Sequence, residues 1–342
     1  MVNRFAFRRR SHRVALVAAA AAVLTATAGV GSSHASTAAR PQAGQIVVGL
    51  ITKTDTNPFF VKMRQGAQAE ANAKGVKLLT AAGQYDGDNQ TQVTAIQNFV
   101  NEGVKGILLV PSSTTAIVPT VLAARKKGVV IIALDTPTNP QSAVDALFAT
   151  NNFTAGQLIG RYARAVEGSK PVQIATMDLN PGITVGDLRH NGFLSGYGIR
   201  RASQGVVCSQ YTQGDQAKGQ TAMETCLQKD PNINLVYTIN EPAAFGAYRA
   251  LSSAGKAKQA LIVSVDGGCA GVRGIKSGQI AATSQQYPLK MAKLGVDAIV
   301  SYAKTGTKPS GYTDTGVTLI TNKPQSGVPS QNAAYGLAHC WG

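Results

Sequence analysis

Carboxylate and amide side chains recur in this sequence directly after short apolar runs. Five such runs end in residues that can form paired hydrogen bonds, at 53–57, Asp135-Thr136, Asn240-Glu241, Asp266-Gly267 and Gln285-Gln286. Two aromatic residues, Phe59 and Phe60, follow the first of these groups. Vicinal hydroxyls pair well with planar carboxylates and amides, and the C–H face of a sugar packs on an aromatic ring. The combination favours a binding site for a neutral polyol. The alternative for Asp135, Asn240 and Asp266 is helix N-capping, which residues of these types commonly perform.

Motifs of enzyme active sites are missing from the sequence. There is no H-E-x-x-H, G-x-S-x-G or G-x-G-x-x-G. The stretch 214–221 resembles a phosphate loop but has Gln220 where the lysine belongs, and 86–88 begins like a calcium loop that Gln90 and Thr91 interrupt. We therefore predict no catalytic residue, no metal site and no cofactor.

The elements that carry these residues alternate regularly from residue 46 onward. Apolar runs such as Gly-Ile-Leu-Leu-Val at 106–110 are typical of strands covered on both faces of a parallel sheet. Each run is followed by a helical stretch, and this alternation implies βαβ crossovers. Two successive series predict an α/β fold with two similar doubly wound parallel-sheet lobes. In such folds ligands bind at the carboxyl ends of the strands. From residue 306 we expect irregular structure with one strand at 316–320.

The N-terminal segment predicts export. Residues 1–13 contain five arginines and no acid, and 14–28 form an apolar run that is short for a membrane span. Cleavage is expected after Ala35, with Ala28 as the competing site. We therefore assign residues 1–35 to a signal peptide and place the protein in the periplasm or the extracellular space.

The charge balance is strongly basic, at +16 for the whole chain. Removal of residues 1–35 leaves 28 basic and 17 acidic side chains, a net charge of +11. These charges occur in scattered pairs and triplets, which are typical of solvated helix faces. With apolar residues at 44% and charged residues at 15%, the composition predicts a folded protein. We expect no nucleic-acid partner.

Four cysteines, Cys208, Cys226, Cys269 and Cys340, lie beyond the predicted signal peptide. Outside the cytoplasm an even number favours disulfides, and the absence of C-x-x-C argues against zinc. Three pairings are open, of which we prefer Cys208 with Cys226 and Cys269 with Cys340. Free, buried cysteines are the alternative.

The same strand-end residues carry a resemblance to the ribose-binding-protein family, the sugar-binding components of ABC importers. The matching segments are Thr56-Asn57-Pro58-Phe59-Phe60, Ala133-Leu134-Asp135, Arg189-His190-Asn191-Gly192-Phe193, Ile239-Asn240-Glu241, Val265-Asp266-Gly267 and 281–286. The resemblance implies two lobes joined by a hinge of several chain segments, with a sugar clamped between them. We place the first lobe at 45–150 plus 288–315 and the second at 151–287 plus 316–342.

The resemblance also implies the roles of individual residues. Asn57, Phe59, Phe60 and Asp135 would contact the sugar from the first lobe, and Arg189, Asn240 and Asp266 from the second, with Gln286 beside the hinge. The expected partners are a monosaccharide and a membrane ABC permease, and we expect a monomer.

Two departures from the ribose-type pattern bear on the substrate. Thr136 replaces an arginine, and Gly214 stands where the family has an aromatic residue facing the cleft. Both changes widen the cleft, so we predict a hexose, with ribose or another pentose or polyol as the alternative. The stretch 51–60, together with Asp135-Thr136-Pro137, resembles the fructose-binding branch of the family, which makes fructose the expected hexose. Lys53 could supply the missing cation, or it could be a solvated lysine.

Two other functions remain as alternatives. A sugar-sensing receptor could use the same two-lobed fold. A secreted carbohydrate-active enzyme would need a pair of carboxylates in the cleft, for which Asp135 and Asp266 are candidates.

Overall fold

The structure is a computed structural model that describes residues 44–200 and 205–342. The predicted signal peptide at 1–35 lies outside these ranges. Within them, no helix combines the length and the hydropathy needed to cross a bilayer.

The first half of the described chain alternates strands and α-helices except before its last strand, which is preceded by a short 3₁₀ helix (Gln141–Ala143). Its elements are β1 (Val47–Thr52), α1 (Pro58–Lys74), β2 (Lys77–Ala82), α2 (Asn89–Asn101), β3 (Gly106–Leu109), α3 (Val118–Lys126), β4 (Val130–Leu134) and β5 (Ala146–Ala149).

The second half repeats this alternation and ends in three short elements. The elements of the whole second half are α4 (Asn152–Glu167), β6 (Ile174–Asp178), α5 (Thr184–Tyr197), β7 (Val206–Tyr211), α6 (Gln216–Lys229), β8 (Leu235–Thr238), α7 (Glu241–Ser253), β9 (Leu261–Asp266), α8 (Cys269–Lys276), β10 (Ala282–Gln285), α9 (Pro288–Thr305), β11 (Gly311–Asp314), β12 (Thr318–Thr321) and α10 (Ala333–His339).

These strands form two six-stranded sheets of matching topology. The first has the order β2-β1-β3-β4-β5-β11 and is parallel throughout. The second has the order β7-β6-β8-β9-β10-β12 and is parallel except at β12, which pairs antiparallel with β10. Buried apolar clusters cover both faces of each sheet. The predicted α/β fold with two doubly wound lobes is confirmed.

The chain passes between the two sheets three times, after β5, after β10 and after β11. Hydrogen bonds join these crossing segments, since Thr150 Oγ1 donates to the Gly316 carbonyl at 3.1 Å and Lys290 Nζ to the Thr315 carbonyl at 3.0 Å. Tyr287 OH lies 2.9 Å from Thr318 Oγ1. The predicted lobe boundaries coincide with these crossings and remain a prediction.

The segment beyond residue 306 is more ordered than the sequence predicts. The one expected strand is present as β12, but β11 and α10 are additional elements. All four residues of β11 are exposed, so its sequence carries no apolar alternation. Helix α10 has only seven residues, too few for a helical period to stand out.

Both disulfides join the preferred cysteine pairs. Cys208 in β7 is bonded to Cys226 in α6, and Cys269 at the start of α8 is bonded to Cys340 after α10. The second bond attaches the C-terminal segment to the start of α8.

Helices α4 and α5 pack unusually closely. A Cβ added to Gly156 or Gly160 of α4 would overlap the main-chain carbonyls of Arg189 and Phe193 in α5, and one at Gly192 would overlap the Phe153 carbonyl. Only glycine permits this approach. Because α5 carries Arg189, the contact fixes how far that side chain reaches toward the cleft.

Candidate functional site

The candidate site lies between the lobes, at the carboxyl ends of the parallel strands. In each sheet the strand order reverses beside the first strand of its series, β1 and β6, which is where open α/β sheets bind ligands. A cavity of about 30 Å³ lies there, and some of its lining residues also line a larger cavity of about 600 Å³. The two share Asn57, Phe60, Asp86 and Asp266.

The structure brings the predicted residues together. Nine of the ten line the smaller cavity, namely Lys53, Asn57, Phe59, Phe60, Asp135, Arg189, Asn240, Asp266 and Gln286. Thr136 is buried beside them, and its hydroxyl donates to Asp135 Oδ2 at 2.8 Å. Their roles in ligand binding remain a prediction.

Arg189 connects the two lobes. Its Nη2 lies 3.4 Å from Asp135 Oδ1 of the first lobe, and its Nη1 lies 3.9 Å from Asp266 Oδ1 of the second. The guanidinium is held in place because Nε donates to Asn152 Oδ1 at 2.8 Å and Nη1 to the Ile239 carbonyl at 3.0 Å. It is therefore a fixed cation between two carboxylates.

Asp266 is enclosed by polar groups of the second lobe. Its Oδ1 accepts a hydrogen bond from Gln286 Nε2 at 2.9 Å. Burial raises the pKa of Asp266 to about 6, against the opposing effect of Arg189. The neighbouring Glu241 accepts hydrogen bonds from the Gly267 and Gly268 amides and from Thr283 Oγ1, and burial raises its pKa well above the ordinary value.

Lys53 and Asp86 form an ion pair inside the first lobe. Lys53 is 1% exposed and its Nζ lies 3.5 Å from Asp86 Oδ2. Burial raises the pKa of Asp86, and the charge of Lys53 opposes that rise. Of the two alternatives for Lys53, the cation in the cleft agrees with the structure, whereas a solvated lysine does not.

Of the three described residues other than glycine that have a positive φ, Asp135, Gln213 and Asp266, two are the strand-end aspartates of the site. Asp135 has φ of 60° and Asp266 has φ of 143°, both in a range that residues other than glycine rarely adopt. Neither aspartate is the N-cap residue of a helix, because no helix follows Asp135 directly and α8 is preceded by Gly268. Asp266 Oδ2 does accept from the Glu241 amide at the start of α7, at 3.5 Å. Strained residues of this kind cluster at functional sites.

The capping alternative is correct for Asn240. Its Oδ1 accepts from the Ala243 amide at 3.1 Å as the N-cap of α7, while its Nδ2 donates to the Gly214 carbonyl at 3.0 Å. Asn57 likewise caps α1 by accepting from the Phe59 amide. These two residues line the cavity and also stabilise helix starts.

Two buried oxygens in the cavity lining have no hydrogen-bond partner within the described parts of the chain. They are Asp86 Oδ1 and Gln286 Oε1. Since buried polar atoms are nearly always satisfied, these acceptors are suited to hydroxyl groups of a bound ligand.

Three further residues line the site without a sequence signal that assigns them to it. Asp86 begins the calcium-like stretch 86–88 and lies in the loop after β2. Glu241 directly follows Asn240, and its type alone predicts no role. Trp341, which lines the larger cavity, has no sequence neighbour that signals a role there.

The charges of the site favour an uncharged ligand. Among the residues that line the smaller cavity, the carboxyl groups of Asp86, Asp135 and Asp266 outnumber the cations Lys53 and Arg189. An anionic sugar would meet this excess of carboxylates, whereas neutral hydroxyls can donate to it. Within the described residues, no cluster of side chains is suited to hold a metal ion.

Comparisons with known proteins agree with this geometry. Residues 48–308 match the periplasmic binding protein domain. The ribose import binding protein of Bacillus subtilis is 30% identical over 74% of this chain and 80% of its own length. The D-allose-binding periplasmic protein of Escherichia coli is 30% identical over 75% of this chain and 84% of its own. A crystal structure of a galactofuranose-binding protein superposes with a TM-score of 0.77 at 25% identity, covering 86% of this chain and 97% of that one.

Proposed function

The chain belongs to the periplasmic binding protein family, and we propose that it clamps a monosaccharide between its lobes and delivers it to an ABC permease. As a member of that family it is a binding protein and not an enzyme. Relatives named for ribose, allose and galactofuranose support a sugar as the ligand.

One observation carries this proposal. Unpartnered acceptors on Asp86 and Gln286 face a cleft that also contains the fixed Arg189 guanidinium and the rings of Phe59 and Phe60. A site for a neutral polyol requires buried hydrogen-bond acceptors, a guanidinium with paired N–H donors and aromatic rings for the C–H groups.

A hexose is the ligand that we propose within this class. Gly214 lines the larger cavity without filling it, and Thr136 turns its hydroxyl to Asp135. A cavity of about 600 Å³ adjoining the strand-end residues leaves room for a six-carbon sugar. Fructose is our first candidate, and the relatives named for ribose make a pentose the alternative.

Export, a permease partner and a monomeric state belong to the same proposal. The predicted signal peptide and the two disulfides support a location outside the cytoplasm, where disulfides persist. A receptor of this kind presents its closed lobes to the permease and needs no second copy of itself for ligand binding.

Incubation of the purified protein with single sugars distinguishes a sugar receptor from a carbohydrate-active enzyme. Fructose, glucose, galactose, allose and ribose are each added in excess, the melting temperature is recorded, and the sugar is recovered and analysed by chromatography. We expect at least one sugar to raise the melting temperature through preferential binding to the folded state and to be recovered unchanged. Chemical conversion of the sugar would refute the proposed receptor function. A melting temperature unmoved by every sugar would count against a sugar ligand.

A further inference from the structure

The only tryptophan of the sequence, Trp341, is buried in the wall of the cleft. It lies after α10 and is only 6% exposed. It lines the larger cavity together with Asn57, Phe60, Glu241 and Asp266.

The main chain of Trp341 is anchored to the second lobe. Its neighbour Cys340 is bonded to Cys269, and the Cys269 amide donates to the Trp341 carbonyl at 2.9 Å. A β-bridge to Gly268 completes the attachment, and a Cβ on Gly268 would come within 3.2 Å of the indole. The disulfide therefore fixes where this segment crosses the mouth of the cleft.

The side chain of Trp341 reaches the first lobe. Its ring packs edge-to-face on Phe59, with the centroids 5.4 Å apart, and it joins the apolar cluster beneath β1, α1 and α9. The indole Nε1 donates to the carbonyl of Gln286 at 2.9 Å, beside the hinge. One residue thus contacts both lobes and the residue from which the chain crosses between them.

We propose that Trp341 is a specificity-determining wall of the ligand cleft and that the Cys269–Cys340 disulfide positions it. The inference rests on the proposed function and adds to it. Gly214 leaves the larger cavity without an aromatic ring at its position, and Trp341 supplies a ring to that same cavity. An indole offers a broad apolar face to the C–H groups of a sugar at little entropic cost. The indole thereby restricts binding in the widened cleft to ligands large enough to contact it.

The first part of the test compares Trp341→Ala with Trp341→Phe. Calorimetric titrations of both variants and the wild type use fructose, allose, galactose and ribose. We expect Trp341→Ala to weaken the binding of the tightest hexose by about tenfold or more, as the loss of a buried aromatic contact does. The affinity for ribose should fall by less. Trp341→Phe, which keeps an aromatic ring, should stay within about threefold of the wild type.

The second part separates positioning from general stability. The double variant Cys269→Ser/Cys340→Ser should lower hexose affinity, because Trp341 then loses its anchor. The matched control is Cys208→Ser/Cys226→Ser, which removes the other disulfide of the same lobe and should leave affinity unchanged wherever the variant is folded by circular dichroism.

Tryptophan fluorescence supplies a readout that a purely structural role would not give. Because Trp341 is the only tryptophan, its emission should change on adding the sugar, with the same midpoint as the calorimetric isotherm. If the wild type binds sugar while Trp341→Ala keeps its affinity and its hexose-to-ribose ratio, this inference is wrong and the proposed function stands. A uniform loss of affinity with an unchanged ratio and unchanged emission in the wild type would also overturn it. If the wild type binds no sugar, the proposed function itself fails.

Discussion

At the scale of single residues, the site depends on carboxylates held out of water. Asp266 and Asp86 both have pKa values raised by burial, and each faces one cation, Arg189 or Lys53. Hydrogen bonds to an ionised acceptor are stronger than those to a neutral one. The protonation of these groups should therefore control ligand affinity.

Affinity should fall when the pH is lowered through about 6. Below that value the Asp266 carboxyl is protonated and no longer offers two charged acceptor oxygens to ligand hydroxyls. Titrations of the tightest sugar from pH 5 to 8 measure this dependence. Asp266→Asn should bind on the order of ten- to a hundredfold more weakly at pH 7.5, the loss expected for a charged hydrogen-bond partner, and without the step near pH 6.

For the stability of the unliganded protein, the raised pKa of Asp266 predicts a pH dependence opposite to that of ligand affinity. Because the folded-state pKa of Asp266 lies above its ordinary value of 3.8, the folded state holds the proton more tightly than the unfolded state does. Its contribution to stability is present below about pH 4 and is lost as the pH rises through about 6. Urea unfolding of the wild type and Asp266→Asn across this range should show a steeper decline in the wild type, because Asp86 and Glu241, whose pKa values burial also raises, titrate in both proteins. A wild-type stability that rises with pH relative to the variant would contradict the assignment.

The pair of Lys53 and Asp86 gives a further prediction. Lys53→Met leaves the Asp86 carboxyl buried without its cation and should lower the free energy of unfolding by about 3–5 kcal/mol. Adding Asp86→Asn to Lys53→Met should recover most of that loss. Urea denaturation measures both variants, and Lys126→Met, at an exposed position, serves as the control. Equal stabilities for the single and double variants would show that the two groups are not coupled.

At the scale of elements, the close contact of α4 and α5 positions the cleft arginine. Gly156 faces the main-chain carbonyl of Arg189 itself, and Asn152 at the start of α4 accepts from the Arg189 side chain. The separation of these helices is thus linked to the position of the guanidinium.

Gly156→Ala should destabilise the protein and weaken the sugar complex. In an open helix alanine is more favourable than glycine by about 1 kcal/mol, but here the new methyl group meets a backbone carbonyl that cannot move alone. Overpacking of about 1–3 kcal/mol outweighs the propensity gain. Thermal unfolding and calorimetry are compared with Ser195→Ala, at an exposed position of α5. Unchanged stability and affinity of Gly156→Ala would show that the helices adjust freely.

Most elements could be predicted because their patterns are local. The sequence alone predicts helices at 58–74 and 216–229 and a strand at 206–211, and α1, α6 and β7 have these bounds. Asn57-Pro58 and Asp215 mark the helix starts, and apolar residues mark the strand. Strand β11 could not be found, because it is short and exposed and pairs only at a sheet edge.

The site was predictable to the extent that it follows strand ends. Asp135, Asn240 and Asp266 come together because parallel strands present their carboxyl ends on one side. Trp341 was not predictable in this way. Its place depends on the disulfide between its neighbour Cys340 and Cys269, a pairing that the sequence favours, and on packing against Phe59 of the other lobe. The packing against Phe59 leaves no local pattern in the sequence.

At the scale of the whole molecule, two similar sheets meet around one cleft. The three crossing segments and the side-chain contacts of Arg189 and Trp341 connect the lobes on either side of it. Thr114 of the first lobe also donates from Oγ1 to the Gly182 carbonyl of the second at 2.9 Å.

Calorimetric titration of the protein lacking residues 1–35 with fructose, glucose, galactose, allose and ribose shows whether the cleft binds a sugar and which one. We expect saturable binding of one sugar per chain, with at least one hexose bound more tightly than ribose, because the cleft is wider than a pentose requires. Tighter binding of ribose than of every hexose would contradict the widened cleft, and no binding of any of these sugars would contradict the sugar receptor.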